Sequence, residues 1–173
     1  MDASGATRGP RGRLEVARGG QPGGSRTNLV VGFDLSPVSQ CALEVAVDLT
    51  RRLGAYLHVV HAVDLSDYPI DPDGPDWEEQ ARRTLATEQQ TVAAALSEFD
   101  GRWTYHAWHG VPSRLLAEVA DESDALMIVI GARRGGIGAG ISHLLTGSVG
   151  AELVGRRGHR PVLVVPPGAA RPS

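Results

Sequence analysis

Residues 29–37 read Leu-Val-Val-Gly-Phe-Asp-Leu-Ser-Pro, a short apolar run followed at once by a polar turn. The first five residues are too apolar for a half-exposed strand and indicate a strand covered on both faces, as in a parallel sheet. Ser36 before Pro37 is typical of a helix start, because serine caps the helix and its first position tolerates proline. Apolar residues then recur every three or four positions until Gly54, where we expect the helix to end. The stretch therefore predicts a central strand that leads directly into a helix.

The alternation of apolar strands with amphipathic helices continues along the chain to residue 165. Right-handed crossovers between such strands produce a parallel, doubly wound sheet of the Rossmann-like type. We therefore predict an α/β fold with five parallel strands, in which ligands bind beyond the carboxyl ends of the strands. The further strands are expected at residues 56–63, 103–108, 125–130 and 161–165, and the further helices at 77–99, 112–122 and from about residue 148.

Glycine and arginine dominate the first 27 residues, which contain few apolar side chains. Segments of this composition bury too little apolar surface to fold. We therefore predict a disordered arm at residues 1–27, the folded domain at 28–166 and a flexible tail at 167–173. The arm has five arginines against Asp2 and Glu15, a charge of +3, whereas the other 12 arginines stand against 18 acidic residues, a charge of −6. An acidic domain lacks the basic surface that nucleic acids require, so no specific nucleic-acid partner is expected.

Several functional classes are excluded by residues that the chain lacks. All 17 basic residues are arginines, which excludes a P-loop lysine and a Schiff-base lysine. The single cysteine, Cys41, rules out an intrachain disulfide. No apolar run approaches the roughly 18 residues that span a bilayer, and the arm lacks the apolar centre of a signal peptide. We therefore expect a cytosolic protein without a membrane partner.

Polar and glycine-rich segments follow the predicted strands at the edge of the sheet where ligands are expected. The loop from Gly131 to Ser148 can form a cradle for phosphate, because glycine exposes backbone N–H groups and a helix starts at its end. Arg133 and Arg134 can supply positive charge there. The other interpretation is a flexible surface loop with a capping serine. Asp34, after the first strand of the predicted sheet, is typical of a ribose or metal contact, or of a cap for the Ser-Pro turn.

The sequence contains no arrangement of residues that suits a metal site or the catalytic site of a hydrolase. Histidines three apart in a strand face opposite sides of the sheet, so two pairs cannot chelate a metal: His58 with His61, and His106 with His109. Asp34, His143 and Ser148 are the residue types of a hydrolase triad, but Ser148 is needed as a helix cap and no G-x-S-x-G motif is present. No catalytic residue and no metal site are therefore predicted.

The ordered set of motifs resembles the universal stress protein family over residues 28–166. The matching segments are Val30 to Pro37, Leu57 to Ala62, Gly110-x-Pro112, Ile130-Gly131, Gly147-Ser148-Val149 and Arg160 to Val165. The resemblance implies a strand order of 3-2-1-4-5 and a homodimer built through the last strand, at residues 161–166. The count of strands and helices made independently from the hydrophobic pattern agrees with this family fold.

One branch of that family binds ATP, and its binding residues can be carried over by position. The resemblance implies that Asp34 contacts the ribose, that the backbone of Ala62 contacts the adenine, and that the phosphates lie against Gly131, Gly147, Ser148 and Val149. The branch has the loop motif G-x-x-G-x9-G-[S/T]. Here Arg134 replaces the second glycine and twelve residues separate it from Gly147. The loop is thus remodelled, and Arg133 and Arg134 either compensate for the change or are simply solvated.

The function implied is a cytosolic stress-response protein that acts as a homodimeric switch controlled by ATP or a related adenine nucleotide. Magnesium is expected only as a companion of ATP, and cyclic AMP is a further possible ligand. One alternative is a slow ATPase at the same site. Another is an interaction module that binds no nucleotide and uses the altered loop for dimerisation or for docking unknown protein partners.

Overall fold

A computed structural model describes residues 5–8, 14–18, 27–63, 77–132, 149–155 and 160–169. Within these ranges, seven strands form one sheet and four helices accompany them. In chain order the elements are β1 (Gly5–Arg8), β2 (Leu14–Arg18), β3 (Asn28–Gly32), α1 (Pro37–Leu53), β4 (Tyr56–Val63), α2 (Trp77–Ala95), β5 (Trp103–His109), α3 (Pro112–Glu122), β6 (Met127–Gly131), α4 (Val149–Gly155) and β7 (Val162–Val165).

The five strands from β3 to β7 are parallel and lie in the order β5-β4-β3-β6-β7. Numbered among themselves they have the order 3-2-1-4-5, so the expected fold is confirmed. β3 is the central strand of the five, and its Val31 lies beside Val59 of β4 and Val129 of β6. The strand order reverses between β3 and β6, which creates a crevice at the carboxyl edge.

Alternate residues of the strands pack on opposite faces of the sheet. On one face, Leu29 and Val31 of β3 form a buried cluster with residues of α1 and with Val92 of α2. On the other face, Val30 packs with residues of α3 and with Leu153 of α4. A parallel sheet needs this cover on both faces, which explains the apolar run that opened the sequence. No helix in the described ranges is long and apolar enough to cross a membrane.

Helix α1 begins and ends where its sequence predicts. The Ser36 side chain accepts a hydrogen bond from the Ser39 N–H, and Pro37 occupies the first turn. Gly54 ends the helix with a left-handed conformation, at φ 58°. A residue with a side chain adopts this conformation only at a cost in energy, so glycine is the natural choice there.

The amino-terminal segment differs from the predicted disordered arm at nine residues. β1 and β2 pair in antiparallel fashion, and β2 pairs with the outer edge of β5, with Arg18 opposite Trp103 and Leu14 opposite Ala107. In β2 the apolar residues Leu14 and Val16 alternate with Glu15, a pattern typical of a strand. This short pattern is masked by the average composition of the glycine- and arginine-rich segment around it.

Candidate functional site

The carboxyl ends of β4, β3 and β6 are neighbours at the crevice where the strand order reverses. Asp34 follows β3, Ala62 lies near the end of β4, and Gly131 ends β6. Gly32 lies beside Val60, and the Phe33 N–H donates to the Val60 carbonyl, so strands β3 and β4 stay paired up to this edge of the sheet. The structure thus brings three of the predicted site residues to one place. Four others lie outside the described residues: Arg133, Arg134, Gly147 and Ser148.

Asp34 is exposed and belongs to the turn that starts α1. The Ser36 N–H donates to Asp34 Oδ1 over 3.1 Å, and the Asp34 N–H donates to Ser39 Oγ over 3.2 Å. Leu35 between them has φ 64°, a left-handed conformation that costs a non-glycine residue about 1–2 kcal/mol. The capping role considered for Asp34 is therefore present. The turn also fixes the direction of a solvent-accessible carboxylate at the crevice.

Ala62 is half-buried and packs against the buried cluster beneath α3. It lies beside Trp108 of β5 in the sheet register.

Gly131 has a clear packing role. A Cβ atom at this position would lie 2.7 Å from Val38 Cγ1 and 2.8 Å from the Val38 carbonyl oxygen. The first turn of α1 therefore comes so close to the end of β6 that only glycine fits without a shift of the backbone. The same contact holds the Asp34 turn against the crevice.

Val149 is the first residue of α4, half-buried, and packs against the cluster beneath α3. One turn further along α4, Glu152 accepts a hydrogen bond from the Ser113 hydroxyl in the first turn of α3. This bond joins the two helices that cover the same face of the sheet. It also places a carboxylate near the starts of both helices.

A buried polar cluster at the end of β4 was not predicted. His61, which is 6% exposed, has its Nδ1 atom 2.8 Å from the Tyr105 hydroxyl and 3.3 Å from Glu88 Oε2 of α2. Burial lowers the pKa of His61 below its ordinary 6.5, although the charges of Glu88 and Asp34 act in the opposite direction. The sequence signal that could have indicated this cluster was His61, a polar residue in the otherwise apolar strand β4.

A second histidine contact joins β4 and β5 on the opposite face. His58 Nδ1 lies 2.9 Å from His106 Nε2, and the two rings stack with centroids 5.2 Å apart. Pairs along one strand were considered from the sequence, whereas this pair forms across two strands. In the part of the chain that the structure describes, no group of three or more histidine, cysteine or acidic side chains is arranged to hold a metal ion.

Known proteins resemble this chain in sequence and in fold. A universal stress protein of Mycolicibacterium smegmatis is 32% identical over 145 residues, which are 83% of this chain and 47% of that protein. Another, of Methanocaldococcus jannaschii, is 29% identical over 141 residues, 79% of this chain and 80% of that protein. A solved universal stress protein in complex with cAMP is 26% identical, with a TM-score of 0.57, and the match covers 84% of this chain and all of that chain.

The chain spans about half the length of the mycobacterial relatives it matches. Residues 25–166, which include all five parallel strands, match the universal stress protein family as a whole. The fold, the crevice and this match agree, and the chain belongs to the universal stress protein family.

Proposed function

We propose that this protein binds ATP or a related adenine nucleotide in the crevice at the carboxyl ends of β3, β4 and β6 and acts as a cytosolic stress-response switch. The observation that carries the proposal is the convergence of Asp34, Ala62 and Gly131 at the point where the strand order reverses. The family of the chain and the cAMP complex of a relative support an adenine nucleotide as the ligand.

Each residue then has a defined part in binding. The Asp34 carboxylate accepts hydrogen bonds from the ribose hydroxyls, and the backbone of Ala62 reads the adenine edge. Gly131, Gly147, Ser148 and Val149 surround the phosphates, and Arg133 and Arg134 neutralise their charge. Magnesium enters with ATP as its companion, and cyclic AMP is bound through the same adenosine contacts.

The switch is proposed to be a homodimer formed through residues 161–166. Among the described strands, β7 pairs only with β6, so its other edge is available. Leu163 of β7 is 37% exposed and Val154 of α4 is 65% exposed. A partner that covered this edge would pair the strand and remove apolar surface from water.

An interaction module that binds no nucleotide is the second candidate function. Glu152 favours it, because a carboxylate near the starts of α3 and α4 opposes the binding of phosphate there. The nucleotide proposal is preferred because the adenosine end of the crevice contains no such obstacle among the residues described.

The test is calorimetric titration of the full chain with ATP and with cAMP, each with and without Mg²⁺. The informative variant is Asp34→Asn, since its side-chain oxygen can still accept from the Ser36 N–H and the turn is preserved. Losing charged hydrogen bonds worth about 1.5–3 kcal/mol should weaken binding by about 10- to 150-fold. Asp100→Asn is the matched control, an exposed acid that precedes β5 and lies at the other edge of the sheet.

Saturable binding that is weakened only by Asp34→Asn would support the proposal. If the folded protein binds neither ATP nor cAMP at millimolar concentration, the nucleotide proposal is refuted and the interaction module is favoured. Release of ADP from ATP by the pure protein, lost in Asp34→Ala, would instead indicate the slow ATPase.

A further inference from the structure

Helix α2 carries a carboxylate on the side that faces the core. Its described buried residues are Glu88 and Val92, and the same spacing of four continues to Leu96 just beyond the helix. Val92 and Leu96 belong to the buried apolar cluster on this face of the sheet, whereas Glu88 is acidic and only 7% exposed. Burying a carboxylate is costly unless polar groups meet it. The docking of α2 therefore depends on the groups that face Glu88.

His61 of β4 meets Glu88 from the sheet and is itself held by β5. Its Nδ1 atom lies 3.3 Å from Glu88 Oε2 and 2.8 Å from the Tyr105 hydroxyl. His61 is 6% exposed and Tyr105 is fully buried. Three buried side chains thus join α2 to two strands. Histidine is the side chain whose charge ordinarily changes near neutral pH, so the contact between α2 and the sheet contains a group that titrates.

The charges near His61 come from two carboxylates. Glu88 on α2 and Asp34 in the turn after β3 favour the protonated ring, whereas burial favours the neutral ring more strongly, so the pKa of His61 is lowered. A buried ring escapes the cost of desolvation only when it reaches water. Since α2 lies over His61, a proton binds more readily after α2 has moved away.

The other groups around His61 add no charge. Tyr105 of β5 contributes a neutral hydroxyl. His58 on the same strand lies on the opposite face of the sheet, where it contacts His106. Helix α1 covers the same face as α2, and its buried residues are all uncharged: Ser39, Ala42, Leu43, Ala46 and Thr50. Of the two helices on this face, α2 is therefore the one whose described contact with the sheet titrates.

α2 also has fewer neighbours than α1. In the described part of the chain, α1 packs against β3, β4, β6 and β7, whereas α2 packs mainly against β5. Elements with few buried contacts open locally while the rest of a protein stays folded. A proton that binds the open form more tightly than the closed form raises the population of the open form.

We propose that Glu88, His61 and Tyr105 form a pH-sensitive contact that holds α2 against the sheet at neutral pH and releases it as the pH falls. α1 and the sheet stay folded, because the contacts of α1 do not titrate in this range. Release exposes apolar side chains of β4 and β5 that are buried in the same cluster as Val92, among them Leu57 and Trp103. The device needs no nucleotide and is independent of the proposed function.

The experiment is amide hydrogen exchange of the full chain between pH 7.5 and 5.5, expressed as protection relative to the unstructured rate at each pH. We expect the protection of α2 to fall roughly three- to tenfold over this range, because a histidine of ordinary pKa 6.5 binds most of one proton in the open form at pH 5.5. The protection of α1 should change less than about twofold, since its opening exposes no titrating group.

The informative variant is His61→Asn, whose amide can replace the Nδ1 donor toward Tyr105 and Glu88 but does not titrate. The protection of α2 in this variant should no longer depend on pH. His58→Asn is the matched control, since His58 is on the same strand, is 5% exposed and lies on the opposite face. It should keep the pH dependence of α2.

Three outcomes would overturn the proposal. The first is a protection of α2 that stays constant or rises as the pH falls. The second is an equal loss in α1 and α2, which would mean that both open as one unit. The third is an unchanged pH dependence in His61→Asn. If His61→Asn does not fold, the comparison of α1 with α2 in the unaltered chain still decides between the first two outcomes and the expected one.

Discussion

Gly131 packs closely against α1 at the end of β6, in addition to the phosphate contact that we propose for it. The sequence predicted it as a phosphate contact, and the structure adds that it lets the first turn of α1 approach β6. No local pattern reveals such a role, because Val38 is 93 residues away in the chain and meets Gly131 only in the folded sheet. In contrast, the turn at Asp34 could be predicted, since its partners Ser36 and Ser39 are close in sequence.

Gly131→Ala should destabilise the protein by about 1–3 kcal/mol, the usual cost of overpacking. The added methyl group would lie under 3 Å from the Val38 backbone and force α1 away from the sheet. Chemical denaturation measures the loss. Gly155→Ala is the control, because a Cβ there would meet nothing within 4 Å. Equal stability of the two variants would contradict the close packing of α1 on β6.

The burial of His61 should make the stability of the protein depend on pH. Burial lowers its folded-state pKa below the ordinary 6.5, so the unfolded chain binds more protons at acid pH. The free energy of unfolding should therefore be highest above pH 6.5 and fall as the pH decreases toward the folded-state pKa. Thermal unfolding from pH 5 to 8 should show a smaller acid loss for His61→Asn than for the unaltered chain. Identical pH profiles would contradict this assignment.

At the scale of elements, local signals were reliable and average composition was not. Helix α1 was predicted from Ser36, Pro37 and Gly54, each of which acts within one turn of the helix. The strands β1 and β2 were missed, because a strand at the edge of a sheet is stabilised by a distant partner, here β5. The same limitation applies to the contact of Glu88 with His61, which depends on how α2 docks on the sheet.

Val16→Pro should loosen the edge of the sheet, because proline cannot donate a ladder hydrogen bond. Val16 lies opposite Tyr105 in the pairing of β2 with β5. We expect amide hydrogen exchange in β5 to become at least about tenfold faster, since its outer edge would open more often. Ala3→Pro, ahead of β1, is the control. Unchanged protection of β5 in Val16→Pro would show that the hairpin contributes nothing to this edge.

At the scale of the whole molecule, the sheet order was predictable because crossover handedness permits few arrangements of five strands. The sequence does not determine which edge meets a partner. The proposed homodimer assigns that role to β7, where Leu163 is 37% exposed.

Leu163→Asp should convert the proposed dimer to a monomer, because a buried unpaired carboxylate is costly at an interface. Light scattering coupled to size-exclusion chromatography gives the mass directly. Leu126→Asp is the control, a comparably exposed leucine just before β6, at the opposite end of the parallel strands. A dimer that survives Leu163→Asp, or a monomeric unaltered chain, would contradict dimerisation through β7.

The two ends of the seven-stranded sheet are unequal, and this bears on how far assembly can proceed. β7 ends one side, whereas the other ends in β1, a four-residue strand that begins with glycine and finishes with Arg8. Short, charged edge strands resist further pairing. A molecule that pairs through one edge of its sheet only, as we propose for β7, forms a closed dimer and leaves no edge for further growth. In the proposed dimer, the hairpin would thus keep the sheet from growing further into fibres.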